Sequence, residues 1–282
     1  MCFDPQVTKA LFLGPRAKVD LARIRASQLA DSCKSWAADH PVALHRRVLD
    51  YGWYEWYTEN QSTVPGADLS VLAGEVLYNL RSALDQAAWA LIVANGGTPS
   101  PRSTYFPIAR KPVAWPSMRG KYLKGASESA INMIERWQPV TLNPEHPDRN
   151  ALALIDELGL IDKHRLLYTS ASTLGDVAIS LVGESEVSAG RLLEQVERRI
   201  DDYLPFTEEQ WILRARVIHD DGTRTVDLSF PLDVNVHKID AVVTFHAPTS
   251  DGGRISVVGE TFGRMVDHVE AILDDLEPIV AS

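Results

Sequence analysis

Hydrophobic residues in the first third of the chain recur at helical spacing. Residues 16–38 carry them without an intervening Gly or Pro, which predicts a first helix. A second helix is predicted over 68–94, with Asp68 or Ser70 as a side-chain N-cap and the Asn-Gly-Gly of 95–97 as its end. The apolar stripe of this second helix consists of Leu72, Val76, Leu80, Ala83, Leu84, Ala87 and Leu91. The stripe predicts that one face of the helix is buried.

The pattern changes further along the chain. Residues 98–127 hold five prolines, which predicts a loop around the short Tyr-Phe-Pro-Ile segment of 105–108. Further helices are predicted over 128–137, 149–158 (closed by Gly159), 188–203 and 261–276. Alternating apolar residues and Gly-containing turns predict a strand or hairpin at 42–58, and strands at 166–172, 177–182, 211–219, 225–230, 241–246 and 254–258.

These elements predict an α+β fold in which a helical core packs against an antiparallel sheet from the C-terminal part. We assign residues 1–165 to the mainly helical core, together with the early strand or hairpin and the proline-rich basic loop. Residues 166–282 form a β-rich region with a C-terminal helix in this prediction. A chain of 282 residues is compatible with one large domain and with two closely packed subdomains.

Composition indicates the class of protein. An acid and a proline near the N-terminus argue against a signal peptide, and no apolar stretch approaches the roughly 20 residues that a bilayer requires. Cys2 and Cys33 are too few for a disulfide framework, which predicts a cytoplasmic location without membrane contact. None of the eight histidines is spaced with an acid as metal ligands on one helix face, so we expect no metal and no cofactor.

Charge is distributed unevenly along the chain, although its net value is −10. Lys and Arg outnumber Asp and Glu by 17 to 14 in residues 1–150, whereas 24 acids face 11 bases in residues 151–282. The first part is therefore compatible with an anionic partner such as RNA, which an evenly spread negative charge would disfavour.

A cluster of polar residues lies on the predicted helix of 68–94, opposite its apolar stripe. Arg81 and Asp85 are spaced i, i+4 and share one face, which Tyr78 and Trp89 extend. Two interpretations stay open. The two residues form either a partly buried ion pair that fixes helix packing or part of a functional site.

Four segments in the middle of the chain together resemble a family of uncharacterised bacterial proteins. They are Asn-Leu-Arg-Ser-Ala-Leu-Asp at 79–85, Phe-Pro-Ile at 106–108, Gln-Pro at 138–139 and Asp-Lys-His-Arg at 162–165. The first segment is also similar to the Arg-x4-His signature of HEPN-type ribonucleases. This resemblance implies a HEPN-like helical core, a homodimer formed through the Arg81 helix, and metal-independent action on RNA.

The HEPN resemblance implies that Arg81 stabilises charge on the phosphate while a histidine handles the proton of the 2′-hydroxyl. In this chain the histidine position is occupied by Gln86, whose amide cannot act as a general acid or base. The resemblance therefore implies either an endoribonuclease or a catalytically impaired RNA binder.

His164 is the remaining candidate for a proton carrier. It stands among Asp162, Lys163 and Arg165, where a carboxylate could orient it beside an anionic substrate. The alternative is a charge cluster at the start of a strand that pairs with the polar helix. The catalytic candidates are therefore Arg81, Asp85 and His164, and a hydrolase or transferase of small molecules with His164 as base is a third, weaker interpretation.

Residues 101–127 form a basic segment that contains six basic residues, four aromatic residues and no acid. Single-stranded RNA binding uses such cations for phosphates and such rings for bases. Alternatively, the rings fix a loop to the core and the cations offset the acidic C-terminal half. The candidate RNA- or anion-binding residues are Asn79, Arg102, Arg110, Lys111, Arg119, Lys121, Lys124, Lys163 and Arg165. The sequence thus favours an RNA-acting protein, with a non-enzymatic dimeric interaction protein as the alternative.

Overall fold

A computed structural model describes residues 5–41, 44–49, 53–58, 65–164, 167, 169–176, 192–198, 210–218, 238–248 and 253–281. Its helices are α1 (Pro5–Asp39), α2 (Ala67–Ala94), α3 (Trp115–Tyr122), α4 (Glu128–Arg136), α5 (Pro139–Leu142), α6 (Ala151–Asp162) and α7 (Thr261–Ala281). Its strands are β1 (Leu44–Val48), β2 (Trp53–Thr58), β3 (Thr169–Asp176), β4 (Leu192–Arg198), β5 (Gln210–Ile218), β6 (Lys238–Pro248) and β7 (Arg254–Val258). The predicted α+β class is confirmed.

The described residues form two compact units, and each unit is assembled from separated parts of the chain. The first unit takes its residues from Met1–Ser32, Gly66–Tyr168 and Phe245–Ser282, and the second from Cys33–Pro65 and Thr169–Thr244. The sequence predicts a boundary between residues 165 and 166. That boundary does not separate the two units, because each unit contains residues from both sides of it.

Four long helices of the first unit, α1, α2, α6 and α7, run in alternating directions. The polar contacts that fix these directions are Arg16–Glu277 (2.7 Å) and Arg23–Glu270 (2.7 Å) between α1 and α7, Arg25–Glu75 (2.8 Å) and Lys18–Asn79 (3.1 Å) between α1 and α2, and Arg81–Asp156 (3.5 Å) between α2 and α6. In the α1–α7 and α1–α2 pairs, residue numbers rise along one helix as they fall along the other. Near the end of α6, Asp162 likewise lies against Gly74, which precedes Arg81 on α2. The chain therefore runs up and down through this helical core.

Helix α2 supplies much of the buried surface of the first unit, as its stripe predicts. Six residues of the stripe are buried and Leu72 is half-buried. The predicted N-cap is wrong, because the helix begins earlier: Gly66 is the cap residue, and the Ser70 hydroxyl donates to the carbonyl of Leu167 (3.0 Å). The predicted end is confirmed, since the helix stops at Ala94 and Gly96 has a φ of 73°, a conformation that glycine adopts without strain.

Local pattern misplaced three other features of the first unit. Helix α3 lies inside the segment predicted to be loop, because Pro116 stands in the first helical turn, where its missing N–H costs no internal hydrogen bond. Helix α6 continues through Gly159 to Asp162 rather than ending at the glycine. Helix α1 begins at Pro5 and includes Pro15, which the prediction placed outside the helix. Helices α4 and α7 confirm the predictions at 128–137 and 261–276.

The sheets confirm most predicted strands and correct one predicted helix. The predicted hairpin is β1–β2, part of an antiparallel sheet in the order β1-β2-β5-β4; a second sheet has the order β3-β6-β7. The helix predicted over 188–203 is wrong, because Leu192–Arg198 is a strand that pairs with β5. Pairing with the next strand along the chain overrides the local helical pattern there. The strands predicted at 177–182 and 225–230 lie outside the described residues.

Candidate functional site

A groove of about 550 Å³ lies on the first unit beside the polar face of α2. It is lined by Leu77, Tyr78, Arg81, Ser82, Asp85, Gln86, Trp89, Pro101, Thr104, Tyr105, Ile155, Asp156, Gly159, Leu160, Asp162 and Lys163. We call it the α2–α6 groove. The spacing of its α2 residues by three and four positions puts them on one helix face, as the sequence predicts.

Arg81 and Asp85, which line the groove, hold the backbone of Phe106. The Arg81 Nη2 atom donates to the Phe106 carbonyl oxygen (3.0 Å) and lies 3.2 Å from Asp85 Oδ1. The same Asp85 oxygen accepts a hydrogen bond from the Phe106 N–H (2.9 Å). The backbone N–H and C=O of the buried residue Phe106 thus form hydrogen bonds with two side chains from one turn of α2, in place of a neighbouring strand.

Arg81 also belongs to a chain of ion pairs that reaches α6. Asp156 lies 3.5 Å from Arg81 Nη1 and 3.3 Å from Arg110 Nη2. Arg110 further contacts Glu157 (2.7 Å) and Asp148 (3.7 Å). Both guanidinium groups are therefore matched by carboxylates of the same unit. Arg110, which the sequence predicts to bind RNA, is part of this internal network.

Asp85 titrates in an unusual setting. Burial raises the pKa of its carboxyl above the ordinary value, and the positive charge of Arg81, the Phe106 N–H and the charge of Lys163 oppose that rise. The burial effect is the largest of these. Arg81 and the Phe106 N–H thus hold the Asp85 carboxylate in a buried position that disfavours its charge.

Gln138 performs a matching task on the next residues of the same segment. Its side chain is completely buried, its Oε1 atom accepts from the Ala109 N–H (2.7 Å), and its Nε2 atom donates to the carbonyls of Pro107 and Ile134 (3.0 Å each). Three of the four segments that carry the family resemblance therefore meet here. The α2 segment and the Gln-Pro segment both fix the extended Phe-Pro-Ile segment through its backbone.

The structure does not bring His164 to the groove. His164 follows the end of α6, is exposed, and is absent from the residues that line the groove; its neighbour Arg165 lies outside the described residues. Gln86 lines the groove and donates to the Ser82 hydroxyl (3.2 Å). It also lies close to Gly14 of α1, where an added Cβ would stand 2.6 Å from the Gln86 Oε1 atom. The groove lining, as described, includes no histidine.

The basic segment contributes exposed cations, in contrast to Arg110. Phe106 and Trp115 are buried and attach the segment to the core, whereas Tyr105 is 38 % exposed and meets Tyr122 edge to face (centroids 6.0 Å apart). Arg102, Lys111, Arg119, Lys121 and Lys124 are exposed and form no ion pair with any carboxylate of the described residues. The fixed backbone thus presents a cationic surface.

A second groove, of about 520 Å³, lies between α1 and α2 and shares Tyr78 and Asp162 with the first. We call it the α1–α2 groove. Asn79, a predicted RNA-binding residue, is buried here: Lys18 Nζ donates to its Oδ1 atom (3.1 Å) and its Nδ2 atom donates to the Glu75 carbonyl (2.8 Å). Sequence analysis missed Lys18 and the role of Asp162 as a residue of both grooves. No local signal links Lys18 to residues 61 positions away.

No group of three or more potential metal-binding side chains occurs among the described residues. None of the described helices has the length and sustained hydrophobicity needed to cross a bilayer. No family model, curated protein or solved structure matches the chain.

Proposed function

We propose that this protein binds single-stranded RNA along the α2–α6 groove, on a HEPN-like helical core, and does not cleave it. The observation that carries the proposal is the combination of exposed rings and unpaired cations. Tyr78, Trp89 and Tyr105 line the groove with 64 %, 38 % and 38 % of their surface exposed. Aromatic faces bind bases by stacking, whatever the base, and lysines bind the phosphates between them.

The cations lie where a strand leaving the groove can use them. Lys163 lines the groove and is exposed. Tyr105 links the groove to the basic segment through its contact with Tyr122, over whose ring the Lys121 ammonium lies (4.8 Å from the centroid). A single strand that stacks on Tyr105 would therefore continue onto the exposed lysines and arginines of the basic segment, whose sequence contains no acid.

The proposal of binding without cleavage rests on the residues of the segment that resembles the HEPN signature. Cleavage at the 2′-hydroxyl requires a group that can take a proton near neutral pH. Gln86 has no such pKa, the Arg81 guanidinium donates to Phe106, and Asp85 is bonded to Arg81 and Phe106. Arg81 itself pairs with the internal carboxylates of Asp85 and Asp156, so its role in this proposal is to hold the Phe106 backbone.

The test is a fluorescence anisotropy titration with a labelled, unstructured RNA of about 12 nucleotides at low salt. We expect binding by the wild type and affinity about tenfold lower for Trp89→Ala, because each stacked base contributes roughly 1 to 3 kcal/mol. Leu142→Ala, which removes a side chain that is 48 % exposed outside the groove, should bind as the wild type does. A wild type that binds no RNA would refute the proposal, and RNA shortened in the presence of EDTA would refute the absence of cleavage.

A second candidate function is a homodimeric interaction protein. One specific observation favours it: α1 and the start of α2 expose three large apolar side chains, Leu13 (64 %), Ile24 (56 %) and Val71 (50 %), which a dimer interface would bury. Light scattering with Ile24→Glu is the test. A dimeric wild type and a monomeric variant would support this function, and a monomer in both cases would contradict it.

A further inference from the structure

Asp162 differs from every other carboxylate that lines the two grooves. Glu75 pairs with Arg25 (2.8 Å), and both Asp85 and Asp156 pair with Arg81. Asp162 forms no hydrogen bond or ion pair with the described residues, although it lines both grooves. Its two acceptor oxygens are therefore available to a ligand.

The place of Asp162 is built by a glycine. Its carboxylate lies flat against Gly74 of α2, so that both oxygens are 2.5 Å from the point where a Cβ on Gly74 would stand. Burial raises the pKa of the Asp162 carboxyl, with no donor to oppose the rise. The half-buried carboxylate thus lacks the hydrogen bonds that usually accompany burial.

Tyr78 and Lys163 complete the surroundings of this carboxylate. The Tyr78 ring lines both grooves with Asp162 and is largely exposed, with the Lys18 ammonium 5.1 Å from its centroid. Lys163 follows Asp162 in the chain and is exposed. A stacking surface, a pair of acceptors and cations for a phosphate therefore lie together.

We propose that Asp162 recognises guanine, by accepting hydrogen bonds from N1–H and the N2 amine of a base stacked near Tyr78. This inference rests on the proposed RNA binding. Guanine presents two adjacent N–H donors on its Watson–Crick edge, which matches the two oxygens of one carboxylate. Adenine and cytosine present one amino group beside an acceptor nitrogen, which a carboxylate repels, and uracil presents a single N–H between two carbonyls.

The experiment compares two unstructured RNAs of about 12 nucleotides that differ at one central position. One RNA has guanosine there and the other has inosine, and neither contains guanine elsewhere. Inosine lacks only the N2 amine. We expect the wild type to bind the guanosine RNA about tenfold more tightly, the discrimination typical of a bidentate contact to a base edge. Asp162→Asn should bind both RNAs equally, because its amide replaces one acceptor with a donor.

Two further variants separate recognition from folding. Asp31→Asn changes an exposed aspartate of α1 that lines neither groove, and should keep the tenfold preference. Gly74→Ala adds the Cβ that displaces the Asp162 carboxylate, while alanine in a helix interior favours the helix. We expect it to fold normally and lose the preference.

The outcomes distinguish the inference from the function on which it rests. Failure of the wild type to bind either RNA would overturn the proposed function. Binding of both RNAs with equal affinity would overturn guanine recognition and leave RNA binding intact. A preference that survives in Asp162→Asn and in Gly74→Ala would also overturn the role of Asp162.

Discussion

Two sets of cations in the first unit have opposite surroundings. Arg81 and Arg110 each expose 21 % of their side chains and contact three internal oxygen-bearing groups, of which they share Asp156. The exposed set of the basic segment pairs with no described carboxylate; it consists of Arg102, Lys111, Arg119, Lys121 and Lys124. The same residue types thus pair inside the fold in one place and are exposed in the other.

This difference shows what a short motif can reveal. The helix segment that resembles the HEPN signature belongs to the internal set, where Arg81 and Asp85 hold a backbone segment. The residues that we propose for RNA binding stand outside that motif, on the groove rim and in the basic segment. The resemblance thus falls on residues that pair inside the core, and our proposal of RNA binding rests on exposed residues elsewhere.

The largest effect should come from the buried amide that completes the internal network. Gln138→Ala leaves the Ala109 N–H and the Pro107 carbonyl without partners, and we expect it to lower the free energy of unfolding by about 3 to 5 kcal/mol. Gln86→Ala is the matched control, since Gln86 bonds only to the Ser82 hydroxyl, and should cost less than about 1 kcal/mol. Urea unfolding measures both, and equal losses would break the comparison.

A smaller loss of stability is expected at the Arg81–Asp85 pair. Each single alanine variant should lower the free energy of unfolding by about 2 to 3 kcal/mol, because the partner left behind is largely buried. The double variant should lose less than the sum, with a coupling of about 1 to 2 kcal/mol.

Arg102→Ala provides the contrast in the exposed set. It should change stability by no more than about 0.5 kcal/mol.

Additive losses for Arg81→Ala and Asp85→Ala in the urea experiment would mean that the two side chains do not act as one structural unit.

The exposed set should affect binding and leave stability unchanged. A variant with Lys111, Arg119 and Lys124 all changed to Gln should bind single-stranded RNA about tenfold more weakly at fixed salt. Its free energy of unfolding should stay within about 0.5 kcal/mol of the wild type. Anisotropy and urea unfolding measure the two quantities, and a large loss of stability would place these residues in the internal set.

We expect the smallest effect on stability from His268, a largely buried histidine. It adds to the comparison of internal and exposed cations a side chain that can lose its charge. Burial lowers the pKa of His268, whose Nε2 atom has no hydrogen-bond partner among the described residues and whose ring meets Trp137 edge to face. Below about pH 6.5 the unfolded chain therefore binds a proton that the folded chain does not.

Stability should fall as the pH drops from 6.5 toward the lowered pKa of the folded protein. His268→Phe keeps the ring contact and removes the titration. Thermal unfolding of wild type and variant between about pH 7 and about pH 5 measures the difference. Parallel losses in the two proteins would assign the pH dependence to other groups.

Local pattern predicted the parts of the fold that depend on neighbouring residues. The stripe and the Asn-Gly-Gly end of α2 follow from periodicity and glycine conformation, and both are confirmed. The identity of β4 does not follow from local pattern, because it depends on pairing with a separate strand, β5. The prediction also missed α3, because it took the prolines of this segment as a sign of loop. Pro116 stands in the first turn of α3, where proline is tolerated.

The site was predictable only in part. The shared face of Arg81 and Asp85 follows from their i, i+4 spacing, but the Phe106 backbone that they hold lies 25 and 21 residues away. No spacing rule shows that His164 would lie outside the groove, or that Asp162 would lie against Gly74 without a partner. Which polar residues pair inside and which stay exposed is decided by helix packing.

The dependence of RNA affinity on salt tests the central claim most directly. If the exposed set binds phosphates, the logarithm of Kd rises linearly with the logarithm of salt concentration, by about 0.7 per phosphate contact. The account predicts that the variant with Lys111, Arg119 and Lys124 changed to Gln has a slope lower by about 2 than the wild type. Identical slopes in the two proteins would contradict it.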